Sequence, residues 1–465
     1  MKIALFIVYI LLILLVIFLE RKTPTQALFW VVVMICIPYV GLILYLIFGT
    51  TLPIKITAVM RKKRIIKDYK GPINSDVKLD LDVRDVDREV MQFNYTYNQS
   101  SLTFYDDASV FTSGMSHYEQ LFKDIENAKE TIYVLFYTIH NDDVGHKFVE
   151  ALTKKANDGI KVLLMCDFVA NISSPPKMFK PLKKAGGKVI RIKPFLTHYR
   201  SHRKLVIIDH AISYIGGMNI GNKYIGKNKK KSPWRDTQVR MTGRACVELE
   251  KYFFTDWFCS LRRKYIPYYL NYVNTIKYKS YEPNNNICQF VVGGVDTNKE
   301  AIKMTYLSMI RSAKKIIRIQ SPYFVPDESI LNALKTAVAS GVKVEFMLPK
   351  CKSSFFLDPV TTYYIGDLLE YGATIYKYDG YVHAKTMIID DELCCIGSVN
   401  MDIRSMSVDD EICGVFFNND FVSKYQDIYN EDLKRCEVYT YDEFKTRSFK
   451  EKVLENFFRL FSALM

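Results

Sequence analysis

Two histidines, two lysines and two asparagines recur in this chain at identical spacing. One stretch reads "SHRKLVIIDHAISYIGGMNIG" from Ser201, the other "VHAKTMIIDDELCCIGSVNMD" from Val382. His202, Lys204, Asp209, Gly216, Gly217 and Asn219 match His383, Lys385, Asp390, Gly397, Ser398 and Asn400 position for position. Brought together across a pseudo-twofold axis, the two copies make a site for one phosphodiester. Lys204 and Lys385 would neutralise its non-bridging oxygens, and Asn219, Asn400 and Ser398 would add hydrogen bonds. A neutral imidazole is nucleophilic near pH 7 and can attack phosphorus. The other histidine, protonated, can donate to the leaving alkoxide and then take a proton from an incoming alcohol or water. A carboxylate on the far nitrogen of each ring would orient it; Asp236 in "PWRDT" and Glu411 in "VDDEIC" are the candidates. This design needs no metal and no cofactor.

Other polar residues carry structural expectations. Asp209 and Asp390 belong to the repeated catalytic motif, but each begins a turn, and a turn-stabilising role is expected ahead of proton transfer. His140, Asp142 and Asp143 are expected to start a helix, with Asp favoured at its N-terminus. His117, His146, His198 and His210 have no repeated counterpart and are read as ordinary. The ten cysteines form no Cys-x-x-Cys pair and no Cys/His cluster. A disulfide framework and a zinc site are thereby disfavoured, and reduced cytosolic thiols are expected.

The elements that must position the motifs are themselves duplicated. "AKETIYVLFYTIHNDDVGHKFVEALTKKANDGIKVLLMCD" from Ala128 and "AKKIIRIQSPYFVPDESILNALKTAVASGVKVEFMLP" from Ala313 read alike. Each gives an apolar strand, a turn with acidic residues, an amphipathic helix, a glycine stop and another strand. The expectation is α/β halves with largely parallel central sheets. Each His-x-Lys begins a strand, with His and Lys on one face. The glycines that follow allow close backbone approach.

The 465 residues carry a net charge of +14, which suits an anionic partner such as nucleic acid or acidic lipid. Residues 3–19 and 27–49 are almost wholly apolar, and the second run is long enough to span a bilayer despite Pro38 and Gly41. Lys55, Arg61, Lys62, Lys63, Arg64, Lys67 and Lys70 follow it, so the positive-inside bias puts the catalytic region in the cytoplasm. The expected layout is a two-span transmembrane anchor (1–50), a basic linker and lead-in (51–105), a first half (106–275), a second half (276–445) and a C-terminal amphipathic helix (446–465). That helix is expected to pack on its own domain rather than lie on a membrane. Lys227–Lys231 would gather anionic headgroups or form a solvated loop.

The doubled HxKxxxxD with its Gly-Gly or Gly-Ser and Asn resembles the phospholipase D superfamily. Within it the chain is similar to the bacterial cardiolipin synthases, on the apolar N-terminus, "ERKTPTQALFW", "SPYFVPDE" and "VHAKTMIIDDELCCIGSVNMDIRS". The resemblance implies a membrane hairpin followed by two phospholipase D-like α/β halves with the active site between them. It implies reversible phosphatidyl transfer from one phosphatidylglycerol to another, giving cardiolipin and glycerol through a phosphohistidine. By analogy His202 is the nucleophile and His383 the acid/base, an order the symmetry of the motif leaves reversible. The implied partners are anionic phospholipid (phosphatidylglycerol and cardiolipin) and the cell membrane, with no nucleic acid; oligomeric state stays open. Rival readings are a membrane-bound phospholipase D with water as acceptor, a nuclease, and a non-catalytic lipid-binding scaffold. The scaffold leaves two intact motifs unexplained.

Overall fold

The computed structural model describes residues 7–11, 13–14, 24–49, 85–193, 200–227, 233–294, 300–352, 354–417 and 419–462. The basic run 55–70, His198 and residues 228–231 lie outside the described residues. Each half is built on one sheet. In the first, β2 (Ala108–Phe111), β3 (Thr131–Phe136), β4 (Lys161–Asp167), β5 (Lys188–Ile192), β6 (Leu205–Ile208), β7 (Ile212–Gly216) and β9 (Gln238–Thr242) take the order β2-β9-β7-β6-β3-β4-β5. In the second, β1 (Leu102–Phe104), β10 (Ile287–Gly293), β11 (Ile316–Gln320), β13 (Lys343–Pro349), β14 (Thr374–Tyr378), β16 (Thr386–Ile389), β17 (Leu393–Gly397), β19 (Glu411–Phe416) and β20 (Cys436–Tyr439) take the order β1-β10-β19-β17-β16-β11-β13-β14-β20.

The sheets are mixed, which corrects the expectation of largely parallel ones. Only β3-β4-β5 and β11-β13-β14 run parallel. The strand after each His-x-Lys returns at once through a tight hairpin, β6 to β7 and β16 to β17, and so tight a turn permits only antiparallel pairing. Asp209 and His210 have φ of 52° and 59°, and Asp390 and Asp391 the same pair of values. Two successive left-handed residues are the signature of the hairpin turns whose twist matches the strands. The parallel part of each half is linked by the expected helix, Asp143–Asn157 or Glu328–Ala339. Asp142 caps the first through the Gly145 amide at 3.0 Å, and Asp327 caps the second through the Ile330 amide at 3.0 Å.

One core joins the halves. Phe253, Phe254, Trp257 and Phe258 of helix Arg244–Ser260, with Phe421, Val422, Tyr425 and Tyr429 of helix Asn419–Leu433, are buried between the sheets. They meet Leu205, Ile207 and Ile215 of the first sheet and Ile388, Cys394 and Ile396 of the second. Each such side chain stabilises the union by about 1.5–3 kcal/mol. Separating the halves would therefore expose a continuous apolar layer.

The segment expected as a linker does more than link. Helix Asp85–Asn98 buries Val90 and Met91 in the second half's core, and Asn98 donates to Thr305 at 2.9 Å. β1 then forms the edge strand of that half, antiparallel to β10. A charged segment hid the stripe, because the buried residues of the helix, among those described, are Asp87, Val90, Met91 and Asn94, and only two of these are apolar.

At the N-terminus the second apolar run is not one straight span. Helix Pro24–Cys36 ends before Pro38, which supplies no N–H, and Tyr39 takes φ of 64°. Helix Val40–Leu44 then folds back. Gly41 lies so near that a Cβ would sit 2.6 Å from the Val33 carbonyl oxygen, and the rings of Trp30 and Tyr45 meet at 5.5 Å. No helix among the described residues is long and apolar enough to cross a membrane. The C-terminal helix, Phe449–Arg459, buries Phe458 against Val325 and Val360 while Phe449, Val453, Phe457 and Leu460 stay exposed. Phe29 of the N-terminal helix meets Phe461 at 6.2 Å.

Candidate active site

Each histidine is delivered by backbone pairing with the other half. The short strand β15 (Tyr381–Val382), immediately before His383, runs parallel to β8 (Trp234–Arg235), immediately before Asp236. The His383 amide donates to the Arg235 carbonyl at 2.6 Å. The same device recurs in the first copy, where Ser201 bridges Asp410 and the His202 amide donates to the Asp410 carbonyl at 2.8 Å. Each ring is thereby laid beside a carboxylate of the opposite half. His202 Nδ1 lies 2.8 Å from Glu411 Oε1, and His383 Nδ1 lies 2.6 Å from Asp236 Oδ2. With Nδ1 so engaged, Nε2 is the nitrogen left for chemistry. Neither half holds a complete histidine–carboxylate pair alone.

The lysines sit with them, both buried. Lys204 donates to the His202 carbonyl and Lys385 to the His383 carbonyl, and Lys385 Nζ is also 2.8 Å from His383 Nδ1. Burial lowers the Lys204 ammonium to about 7, helped by the charge of Lys385, and that of Lys385 to about 8, helped by the charge of Lys223. Burial and the adjacent lysines hold His202 well below the ordinary imidazole value and His383 down to about 3, which disfavours the imidazolium of either ring while no anion is in the site. The two carboxylates differ. Burial pushes Glu411 up to about 7, whereas for Asp236 burial is outweighed by Lys385 and His383, which hold it below the usual range.

That difference accompanies the departure between the copies at Gly217 and Ser398. Ser398 Oγ donates to Glu411 Oε2 and accepts the Ile412 amide at 3.1 Å. At Gly217 a Cβ would lie 2.1 Å from Asp236 Oδ1, so the shorter carboxylate occupies the space a side chain would need. Glycine goes with aspartate, serine with glutamate.

The remaining motif residues, Asp209, Asp390, Ser398, Asn219 and Asn400, have the following contacts. Asp209 and Asp390 stand at the far ends of β6 and β16, and their contacts fit the turn-stabilising role expected of them. Asp209 accepts the amides of Lys129, Glu130 and Thr131 at 2.8, 2.8 and 2.9 Å, and Asp390 those of Lys314, Lys315 and Ile316 at 2.6, 2.7 and 2.7 Å. They anchor the start of β3 and β11. Ser398, expected to bind substrate, donates its hydroxyl to Glu411. Asn219 accepts the Thr138 amide at 3.0 Å and donates to Tyr224 at 2.8 Å. Asn400 donates to Tyr323 at 2.6 Å, and its Oδ1 is buried without a partner among the described residues.

Of the remaining sites, His210 pairs with Glu250 at 2.7 Å and His146 with Asn141 at 3.0 Å, while His117 is buried with neither nitrogen bonded among the described residues. Lys227 is paired with Asp143 at 2.8 Å. Sequence reasoning missed Lys223 and Arg404, which follow Asn219 and Asn400 at the same distance and could have been found by extending the motif alignment by four positions. It also missed the network beneath His383, in which Arg235 meets Asp432 at 2.7 Å, Gln320 donates to Asp432 at 2.9 Å and Tyr425 donates to Gln320 at 2.9 Å.

Comparison with known proteins agrees with the doubled site. A family described as "Cardiolipin synthase, PLD-like domain" matches residues 121–257 and 306–433, and a phospholipase D-nuclease N-terminal family matches residues 7–49. The chain is 35% identical to the major cardiolipin synthase ClsA of Bacillus subtilis over 99% of its own length and 98% of that protein. It is also 35% identical to a cardiolipin synthase of Clostridium perfringens, over 96% and 95% of the two chains. A crystal structure of phosphatidylserine synthase from Haemophilus influenzae shares the fold, with a TM-score of 0.64 at 14% identity over 80% of this chain and 97% of that one.

Proposed function

Since the chain belongs to the cardiolipin synthases built from two phospholipase D-like halves, we propose that its paired histidines divide the labour of phosphatidyl transfer between two phosphatidylglycerol molecules. The products are cardiolipin and glycerol, and the reaction is reversible. His202 Nε2 attacks the phosphorus of the first lipid, the phosphorus–oxygen bond to the headgroup glycerol breaks, and His383, protonated on Nε2 once the anionic phosphodiester has entered the site, gives that proton to the leaving alkoxide. The terminal hydroxyl of the second lipid gives its proton to His383 and attacks the phosphatidyl-histidine, breaking the phosphorus–nitrogen bond. Lys204 and Lys385 neutralise the non-bridging oxygens through both steps.

The observation that carries this reading is the crossed pairing of each imidazole with a carboxylate from the other half. The division of roles draws on the unequal carboxylates. Asp236 stays ionised and favours a transient imidazolium on His383, as a proton carrier requires. Glu411, raised by burial, does this less for His202, which suits a ring that must stay neutral to attack.

Membrane attachment with a cytoplasmic catalytic region belongs to the same reading. Leu28, Val32, Ile35 and Ile43 of the N-terminal helices and Phe449, Val453, Phe457 and Leu460 of the C-terminal helix are exposed, and Phe29 and Phe461 join the two sets. Lys450 and Lys452 border the second set, as an interfacial helix on anionic lipid requires.

The test is product analysis by mass spectrometry, with phosphatidylglycerol as the only lipid and no added metal. Cardiolipin and free glycerol in equal amounts are expected; phosphatidic acid in place of cardiolipin would overturn the transferase reading. Repeated on vesicles, Phe449→Ser with Phe457→Ser is expected to slow the reaction about tenfold or more, since each ring contributes about 1.5–3 kcal/mol when buried in lipid. An equal slowing in detergent micelles would remove the membrane role.

A further inference from the structure

The repeat places a cation four residues beyond each motif asparagine, Lys223 after Asn219 and Arg404 after Asn400. The two are not equivalent in the fold. Arg404 is neutralised by Asp409, with Nη2 2.8 Å from Oδ1 and Nε 3.4 Å from Oδ2. Lys223 is half-buried, and no carboxylate among the described residues pairs with its ammonium. The nearby carboxylates are engaged elsewhere. Asp142 accepts the amides of Gly145 and Asn222, Asp143 pairs with Lys227, and Asp236 pairs with His383. Lys223 Nζ instead lies over the rings of Tyr224 and Trp234, at 5.0 and 5.4 Å from their centroids. The Trp234 ring is 5.1 Å from that of His383. The charge of Lys223 reaches the reacting groups, since it lowers the proton affinity of His383 and of both motif lysines.

An ammonium withdrawn from water beside other cations is costly unless an anion joins it. The motif lysines already serve one phosphodiester. Cardiolipin and the pair of lipids that form it carry two, joined in the product by a three-carbon bridge, whereas water as an acceptor carries none. Building on the transferase reading above, we infer that Lys223 is the seat of the second phosphodiester, the one belonging to the acceptor lipid. Trp234 and Tyr224 keep the ammonium on the His383 side, and there it aligns the acceptor's hydroxyl with the ring that takes its proton. Arg404, its counterpart in the repeat on the His202 side, is instead paired with Asp409. The site thus becomes asymmetric in the way an asymmetric reaction needs.

Lys223→Gln and Lys223→Arg test this with two acceptors in one membrane preparation. Cardiolipin formation from phosphatidylglycerol requires an acceptor with its own phosphate. Exchange of labelled glycerol into phosphatidylglycerol uses the same donor and an uncharged acceptor. For Lys223→Gln the ratio of cardiolipin formed to glycerol exchanged is expected to fall about tenfold or more, the size of a lost charge-assisted contact. Phosphatidic acid should rise as water competes, and Lys223→Arg should restore most of the ratio. An unchanged ratio would overturn the assignment, whether both reactions fall together, as they would if Lys223 held the donor or only the fold, or neither falls. Wild-type enzyme that exchanges glycerol but makes no cardiolipin would instead reject the reading beneath it, that a second lipid is the acceptor.

Discussion

His202→Ala and His383→Ala each lower cardiolipin formation by roughly 100-fold or more, and a donor lipid with a nitrophenol headgroup separates them. Nitrophenolate leaves without a proton. On that donor His383→Ala should recover most of the rate of the first turnover, a burst of one headgroup per active site, because the attacking ring is intact and the acid is no longer needed. His202→Ala should recover none of it. The expected asymmetry rests on the carboxylates, Asp236 ionised beside His383 and Glu411 raised by burial beside His202. Recovery by His202→Ala in place of His383→Ala would reverse the two roles. Near-wild-type activity of either variant on phosphatidylglycerol would remove the two-histidine scheme.

Asp390→Ala should act on the fold instead. Its carboxylate holds the amides of Lys314, Lys315 and Ile316, and Asp390 is buried at 7% exposure. Orphaned backbone donors cost about 1–3 kcal/mol each, so a loss of roughly 3–5 kcal/mol in unfolding free energy is expected by urea denaturation. Asp209→Ala should cost about 1–2 kcal/mol, because the amides of Lys129 and Glu130 are exposed and water can replace the carboxylate. Turnover per folded molecule should persist in both. A loss of turnover equal to that of the histidine variants, with stability unchanged, would return these aspartates to the chemistry.

The reacting groups were legible because His-x-Lys is a local pattern, two residues on one strand face, and because it occurs twice in register. Asp236 and Glu411 could be picked out as carboxylates near the motifs. Their crossed partnership could not, since it depends on β8 pairing with β15 and Ser201 with Asp410 between halves 147 and 209 residues apart. Sheet direction was misread at the turns. Asp209-His210 and Asp390-Asp391 are both left-handed, yet neither carries the Asn-Gly or Asp-Gly signal that marks such hairpins in sequence. The Gly217/Ser398 difference had no evident cause until Asp236 and Glu411 were seen to need different room. The fold of 85–104 was hidden by its charge, and the bend at Pro38 by the uniform apolarity around it.

The most direct measurement is peptide mapping of His383→Ala quenched during turnover of the nitrophenyl donor. Without His383 no base prepares an acceptor, so the phosphatidyl-enzyme should accumulate, as an adduct on the peptide containing His202 that acid releases and alkali does not. An adduct on any other residue, or rapid release of headgroup with no adduct at all, would contradict covalent transfer through His202.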